Sequence, residues 1–170
     1  MSLRLVTTDD ANARYVGWLA DPEVNRYLET RYAEQTLEMV RDFVGAMARS
    51  PDSYLFAILE EATSKHVGNV KIGPVLAHHA VADVSYFIGE RAAWGKGFGS
   101  EAVRLVTKFG FERLDLHRCQ AGFYETNIGS QRVLEKAGYT YEGRLAKRLR
   151  NGDVWEDHVW YGALRDTWKG

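Results

Sequence analysis

The stretch from Trp94 to Glu101 reads WGKGFGSE, and it decides how the rest of the chain is interpreted. An extended run from Val81 to Ile88 comes before it. After it, apolar residues recur at the three- and four-residue steps of an amphipathic helix. Gly95, Gly97 and Gly99 break the pattern between the two. The sequence therefore predicts a strand, a glycine-rich loop and a helix in direct succession.

This loop has the chemistry of an anion-binding site. Glycines adopt positive φ angles and let the backbone approach a ligand closely. The free N–H groups of a first helical turn point at an anion with the helix dipole behind them, and Lys96 adds a positive charge. A pyrophosphate would fit there. The alternative is a tight turn whose glycines only permit close packing, since the spacing matches neither a Walker loop nor a dinucleotide fingerprint.

Periodicity and turn residues predict the remaining elements. The predicted strands are Leu3 to Leu5, Tyr54 to Leu59, Val67 to Leu76, Val81 to Ile88, Arg118 to Glu125, Tyr139 to Leu149 and Val154 to Leu164. Five helices are predicted. The first contains Tyr15, Trp18 and Leu19 and would be capped by Thr7 to Asp10, and a short second one begins at Pro22. Of the other three, one would be capped by Thr36, one would begin at Ser100 and one would be capped by Asn127. Asn151-Gly152 is a strong hairpin signal between the last two strands.

These elements predict an α+β fold. A mixed, mostly antiparallel sheet of about seven strands would be flanked by helices, with its middle strands forming a meander. The chain has 170 residues, which is near the usual size of one domain, and no linker divides it. We therefore expect a single domain over residues 1–170.

Composition excludes several classes of function. The formal charge is -1, from 22 basic and 23 acidic residues, so we expect neither bulk nucleic-acid binding nor attraction to anionic membranes. No segment approaches the roughly 20 apolar residues of a membrane span. Cys119 is the one cysteine, and His78 and His79 lack partners with ligand spacing, so no metal site is expected. These features favour a cytoplasmic protein.

Three separated motifs resemble one family. They are ADVSYFIG at residues 82–89, WGKGFGSEA at 94–102, and Asn127, Ser130 and VLEKAGY at 133–139. In this order they resemble the GNAT N-acetyltransferase superfamily, specifically its RimJ/RimL-like branch. The ending YEGRL at 141–145, followed by Asn151-Gly152 and Asp157, is similar to that branch as well. The resemblance spans nearly the whole chain.

The resemblance implies a GNAT-like acyl-CoA N-acyltransferase fold and direct transfer of an acetyl group from acetyl-CoA to a primary amine. The amine would belong to a small molecule or to a protein N-terminus, and a homodimer stays open. The strand ending near Gly89 would splay from the one starting near Arg118, so that the pantetheine arm pairs with the exposed backbone. The expected cofactor-binding residues are Phe87, Ile88, Gly89, Trp94, Gly95, Lys96, Gly97, Phe98, Gly99, Ser100, Asn127 and Ser130.

Acetyl transfer also needs a base and an acid, because a protonated amine cannot attack. Asp83 and Glu125 are the candidate bases, as each lies on a strand near the expected splay; the alternative is that both are solvated strand-end carboxylates. Many relatives carry a tyrosine acid where this chain has Leu134. Ser130 is therefore the candidate acid, with water as the alternative. Cys119 next to His117 fits a core position better than a nucleophile.

Two other functions stay open. The missing tyrosine at Leu134 would suit a non-catalytic acyl-CoA-binding or interaction module. RNA binding would rest on the basic cluster of Arg144, Lys147, Arg148 and Arg150, in which strand alternation places 144, 148 and 150 on one side. Acceptor choice would fall to the N-terminal helices and the last hairpin, where the carboxylates of Glu23, Glu29, Glu34 and Glu38 could attract a cationic amine.

Overall fold

Seven strands form one sheet in the computed structural model, which describes all 170 residues. Their order across the sheet is β1-β2-β3-β4-β5-β7-β6, and only β4 and β5 run parallel. The strands are β1 (Ser2–Leu5), β2 (Tyr54–Leu59), β3 (His66–Leu76), β4 (Val81–Ile88), β5 (Arg118–Tyr124), β6 (Thr140–Asn151) and β7 (Val154–Leu164). The predicted mixed sheet of seven strands, with its β2-β3-β4 meander, is confirmed.

Five helices cover the two faces of this sheet. They are α1 (Ala13–Ala20), α2 (Pro22–Asn25), α3 (Leu37–Arg49), α4 (Phe98–Arg113) and α5 (Ile128–Lys136). The larger core lies on the face of α4 and α5, and a smaller core lies on the face of α1 and α3. Strand alternation lets β4 serve both, because Val84 packs into the first and Phe87 against the second. None of these helices has the length and apolar character that crossing a membrane requires.

Two helix starts differ from the predictions. The side chain that caps α1 is Asn12, which accepts from the N–H groups of Arg14 and Tyr15, whereas Thr7 to Asp10 leads into a separate 3-10 turn. The helix predicted from Ser100 begins two residues earlier, at Phe98. This is because Gly97, at φ +87°, already turns the chain into the helix.

The last hairpin corrects two further expectations. Asn151 pairs with Val154, so the two-residue turn is Gly152 and Asp153, one position later than predicted. In β6 the register shifts between Leu145 and Leu149, where Lys147 has a φ of +49°. The shift gives β6 two more residues than β7 over this stretch, so the side chains between Leu145 and Leu149 leave the regular alternation. The expected separation of arginines from leucines therefore fails, and Arg148 and Leu149 line the same cavity.

The feature that positions the site is the short contact between β4 and β5. Their ladder contains three residue pairs, from Val81 with Arg118 to Asp83 with Gln120. Beyond Asp83 the two strands diverge, while β5 stays paired with β7 as far as Tyr124. The second half of β4 thus has a backbone edge with no strand beside it, and the expected splay is confirmed. No register shift accompanies it in this ladder.

An ion pair between the exposed Arg4 and the buried Asp10 fastens β1 to the smaller core. The Arg4 guanidinium donates to both carboxylate oxygens of Asp10 at 2.6 and 2.7 Å, and the Thr7 N–H donates to Oδ2 at 2.8 Å. Asp10 is only 5% exposed. Burial alone would raise the pKa of Asp10, but these hydrogen bonds outweigh it and lower that pKa to about 2. The carboxylate is therefore charged at neutral pH.

Replacing Asp10 by Asn removes this charge, and we expect the free energy of unfolding at pH 7 to fall by about 1–2 kcal/mol. Because the folded-state pKa lies below the ordinary carboxyl value of 3.8, this stability is complete above about pH 4. It is lost as the pH falls towards 2. Chemical denaturation at pH 7, 4 and 3 measures the difference between the variant and the parent chain, which should narrow at the lowest pH.

The matched control is Asp9→Asn, a change to an exposed neighbour in the same turn. It should leave unfolding close to that of the parent chain. A gap between Asp10→Asn and the parent that stays constant down to pH 3 would show that the carboxylate charge contributes nothing.

Candidate functional site

A cavity of about 1140 Å³ lies where β4 and β5 diverge. One wall is the free half of β4, from Val84 to Ile88, and the opposite wall is the end of β5, from Ala121 to Tyr124. The glycine-rich loop and the start of α5 close one end of the cavity. Residues 26–29 and the last hairpin border the other end. The loop, both strands and the N-terminal region therefore meet at a single site.

The start of α4 faces this cavity with its backbone donors free. Gly97 is the capping residue, and no side chain caps the helix. The first N–H to bond within the helix is that of Glu101, which donates to the Gly97 carbonyl at 3.1 Å. The N–H groups of the preceding turn therefore have no intrahelical acceptor. Together with the helix dipole they form a ready site for a phosphate group.

Gly99 has a different role from the other glycines of the loop. A Cβ at this position would lie 3.2 Å from Val133 Cγ2, so its small size lets α4 pack directly on α5. The α5 end is fixed in turn by Asn127, whose Oδ1 accepts from the Ser130 N–H at 3.1 Å. Tyr86 reaches across from β4 and donates to the Ser130 carbonyl at 3.2 Å. The two helix starts are thus held side by side.

Most of the predicted cofactor-binding residues line this cavity. They are Phe87, Ile88, Trp94, Gly95, Gly97, Phe98, Gly99, Ser100, Asn127 and Ser130. Gly89 and Lys96 are not among the lining residues. Gly89 is buried against the indole of Trp18, which occupies the space where a Cβ would project. The Trp94 indole N–H donates to the Ile88 carbonyl at 2.8 Å, which holds the loop against the end of β4.

The two predicted bases lie outside the cavity lining. Asp83 accepts from Gln120 Nε2 at 2.8 Å, within the paired part of β4 and β5. Glu125 forms a salt bridge with Arg144 at 3.1 Å. Both carboxylates are therefore engaged with neighbouring side chains and do not face the cavity.

Glu29, which the sequence suggested only as one of several acidic residues near the acceptor, lines the cavity. Glu29 accepts from the Tyr124 hydroxyl at 2.8 Å across 95 residues of sequence. Burial, together with hydrogen bonds to Tyr32 and Glu29, raises the pKa of Tyr124 above its ordinary value, so this hydroxyl keeps its proton. The wide separation in sequence explains why no local motif signals the pair.

Several cationic side chains were also missed as site residues. Arg132 and Lys136 line the cavity from α5, and Arg148 lines it from the last hairpin. His158 lines it from β7. Burial and the nearby Arg148 lower the pKa of His158, so the imidazole is neutral at pH 7. The spacing of Arg132 and Lys136 on a helix after a capping asparagine is the one sequence signal that could have found them.

A second cavity, of about 380 Å³, opens on the other face of the sheet, beneath α1 and α3. It shares five lining residues with the first, namely Leu28, Glu29, Ser85, Tyr86 and Phe87. The two cavities therefore meet at β4, and Glu29 stands at their junction.

Cys119 and Leu134, on which two alternative functions depended, are core residues. Cys119 is fully buried, and burial raises the pKa of its thiol to about 12, so it cannot supply a thiolate. Leu134, where the family resemblance implied a tyrosine, is 1% exposed and belongs to the larger core. A hydroxyl reaches the cavity from β5 instead, through Tyr124.

Comparison with known proteins assigns this architecture to a family. Residues 1–140 match the family model described as an acetyltransferase (GNAT) domain. The chain is 40% identical over 108 residues to the probable N-acetyltransferase YjcK of Bacillus subtilis (strain 168), a match that covers 63% of this chain and 59% of YjcK. It is 30% identical over 162 residues to the uncharacterized N-acetyltransferase YoaA of the same organism, covering 93% and 90%.

Solved structures share this fold. A GNAT-family acetyltransferase from Bacillus anthracis superposes with a TM-score of 0.83 at 25% identity, covering 96% of this chain and 94% of the other. RimL, a ribosomal L7/L12 alpha-N-protein acetyltransferase in complex with coenzyme A, gives 0.85 at 16% identity, covering 96% and 93%. The chain belongs to the GNAT family and is an N-acetyltransferase that takes its acetyl group from acetyl-CoA.

Proposed function

We propose that this chain transfers the acetyl group directly from acetyl-CoA to a primary amine at the junction of its two cavities. The observation that carries the proposal is the position of Glu29, which lines both cavities beside the free edge of β4. The coenzyme cavity has uncapped N–H donors at one end, and the second cavity offers a separate space for an acceptor. We place the chain in the RimJ/RimL-like branch on its motifs, namely residues 82–89, 94–102 and 127–139.

The coenzyme would lie between α4, α5 and β4. The N–H groups from Gly97 to Ser100 would hold its pyrophosphate, and Arg132 and Lys136 would add positive charge from α5. The pantetheine arm would run along the free edge of β4 as an added strand. Asn127 supports this arrangement by capping α5 beside the loop. Lys96 and Gly89 would then have indirect roles.

Glu29 is the group that would take the proton from the attacking amine. In the reaction the amine nitrogen forms a bond to the thioester carbon, the bond from carbon to sulfur breaks, and the sulfur leaves as a thiolate. Tyr124 would orient the Glu29 carboxylate through their 2.8 Å hydrogen bond. Ser130, which lines the cavity from α5, would be the acid and would return a proton to the leaving thiolate, with water as the alternative.

The other two functions have less support. Direct transfer is favoured over a covalent enzyme intermediate because the one cysteine is buried in the core. The basic cluster offered for RNA is partly neutralised, since Arg144 contacts both Glu125 at 3.1 Å and Asp157 at 3.3 Å. A non-catalytic module would not explain why Glu29 is held at the cavity by its hydrogen bond to the buried Tyr124. The acceptor amine is either a small molecule or a protein N-terminus.

The parent chain should release coenzyme A from acetyl-CoA when at least one primary amine is supplied. The assay measures free thiol across amino acids, simple amines, polyamines and peptides with free N-termini, and calorimetry measures coenzyme binding in parallel. Coenzyme binding without release for any of these acceptors would favour the non-catalytic module. The absence of coenzyme binding would overturn the proposal altogether.

Gly97→Ala should weaken coenzyme A binding roughly tenfold. A Cβ at Gly97 meets no atom within 4 Å, so the cost arises only from its φ of +87°, a conformation that costs an alanine about 1–3 kcal/mol. The loop relieves this strain by moving its N–H groups away from the phosphates. Gly17→Ala is the matched control, because Gly17 lies in α1 and also has open space around it. An unchanged dissociation constant in Gly97→Ala would remove the loop from coenzyme binding.

Glu29→Gln should lower kcat roughly 100-fold, the contribution expected of a general base, with little change in coenzyme binding. The comparison variants are Asp83→Asn and Glu125→Gln, which remove the two bases predicted from the sequence. Steady-state kinetics at neutral pH should show that kcat is largely retained in both comparison variants and falls in Glu29→Gln. If one of the comparison variants loses the activity instead, that residue is the base.

A further inference from the structure

The second cavity has an apolar wall that is open to solvent. Met39 and Phe43 on α3 are 44% and 43% exposed, although both are large hydrophobic residues. Leu28 and Val40 extend the same wall. Exposed apolar side chains around a concavity commonly mark a ligand site, and a volume of about 380 Å³ falls within the range of small-molecule pockets. An acceptor with an apolar body would cover this surface.

The floor of the cavity carries a buried donor without a partner. Asn69 on β3 lines the cavity and is 2% exposed, yet its Nδ2 has no hydrogen-bond partner. The orientation of the amide is fixed by His66, whose Nε2 lies 2.9 Å from both the Gly68 carbonyl and Asn69 Oδ1. Since the carbonyl can only accept, Nε2 carries the proton and Asn69 must present its oxygen to it. The amide nitrogen lies near the Tyr15 hydroxyl, which lines the same cavity, but it forms no close hydrogen bond with it and can still bind another acceptor.

A cation lies on the same floor two residues further along β3. Lys71 lines the cavity and pairs in register with Ser85 on β4, just as Asn69 pairs with Phe87. Lys71 takes part in none of the chain's salt bridges. The side chains of residues i and i+2 on a strand point to the same face. Asn69 and Lys71 therefore form a donor pair without an anionic partner in the protein.

Charge is distributed asymmetrically in this cavity. Glu29, at the junction with the coenzyme cavity, is the one carboxylate in the lining, and Lys71 is the one cation. A polyamine would need further carboxylates for its second and third ammonium groups, and it would meet Lys71 with like charge. An amine that ends in an anionic oxygen group would match both charges.

We propose that the acceptor is a monoamine with an apolar body that carries a carboxylate, which Lys71 and Asn69 bind while the amine lies at Glu29. This inference rests on the proposed function, because it assigns the acceptor of the same reaction. It adds a specificity site on β3 to the chemistry at the junction.

The test compares acceptors that differ only in the carboxylate. The two matched pairs are 6-aminohexanoate with pentylamine and L-phenylalanine with phenethylamine, and spermidine is the fifth acceptor. In the parent chain kcat/KM for the carboxylate-bearing member of at least one pair should exceed that of its partner roughly tenfold, the scale of a hydrogen bond to a charged group. Lys71→Met should abolish this difference, because it should lower kcat/KM only for the carboxylate-bearing member of the pair.

Lys108→Met is the control, since Lys108 lies on α4 at the opposite face of the sheet. Calorimetry with coenzyme A checks that both variants are folded and still bind the coenzyme. A preference for spermidine or for the simple amines, or an equal loss for both members of a pair in Lys71→Met, overturns the inference and leaves the proposed function standing. Coenzyme release with none of the five acceptors, or with peptide N-termini alone, also overturns it. If none of the five acceptors releases coenzyme A, the wider amine assay described above tests the proposed function separately.

Discussion

Three parallel residue pairs, ending at Asp83 and Gln120, are the whole ladder between β4 and β5. A longer ladder would satisfy the backbone of both strands and close the sheet. Because it stops, β4 keeps a free edge and a large cavity opens beside it. The helix starts at Gly97 and Asn127 both border this gap, so the N-terminal ends of two helices converge on one place. The site exists because backbone pairing is left incomplete there.

Much of this arrangement could be predicted from local sequence. The strands Tyr54–Leu59, Val81–Ile88 and Val154–Leu164 have the predicted bounds, because turn residues flank clear apolar runs. The glycine-rich loop is predictable from the same kind of local information, because backbone positions with positive φ favour glycine. Errors arose where backbone geometry depends on tertiary context. The irregularity around Lys147 has no glycine to signal it, although it interrupts the pairing of β6 with β7.

The acceptor half of the site was the least predictable part. Glu29 and Tyr124 are joined by a hydrogen bond across 95 residues, and no spacing rule connects them. Gly89 illustrates the opposite error, because a glycine beside a predicted ligand site is required there to admit the ring of Trp18. Family motifs mark the coenzyme, which every member shares. Acceptor contacts depend on how separate helices settle on the sheet, and that packing is not encoded in any short stretch.

The sheet keeps two hydrophobic clusters apart, one under α4 and one under α1 and α3. The helices α4 and α5, whose starts border the large cavity, pack on the first cluster, and α3, which lines the second cavity, packs on the second. If the acceptor lies in the second cavity as proposed, substitutions in α1 and α3 would change acceptor choice without disturbing α4 and α5. This division would let acceptor specificity diverge while the coenzyme site is kept. Strand β4 packs against both clusters and is constrained by both.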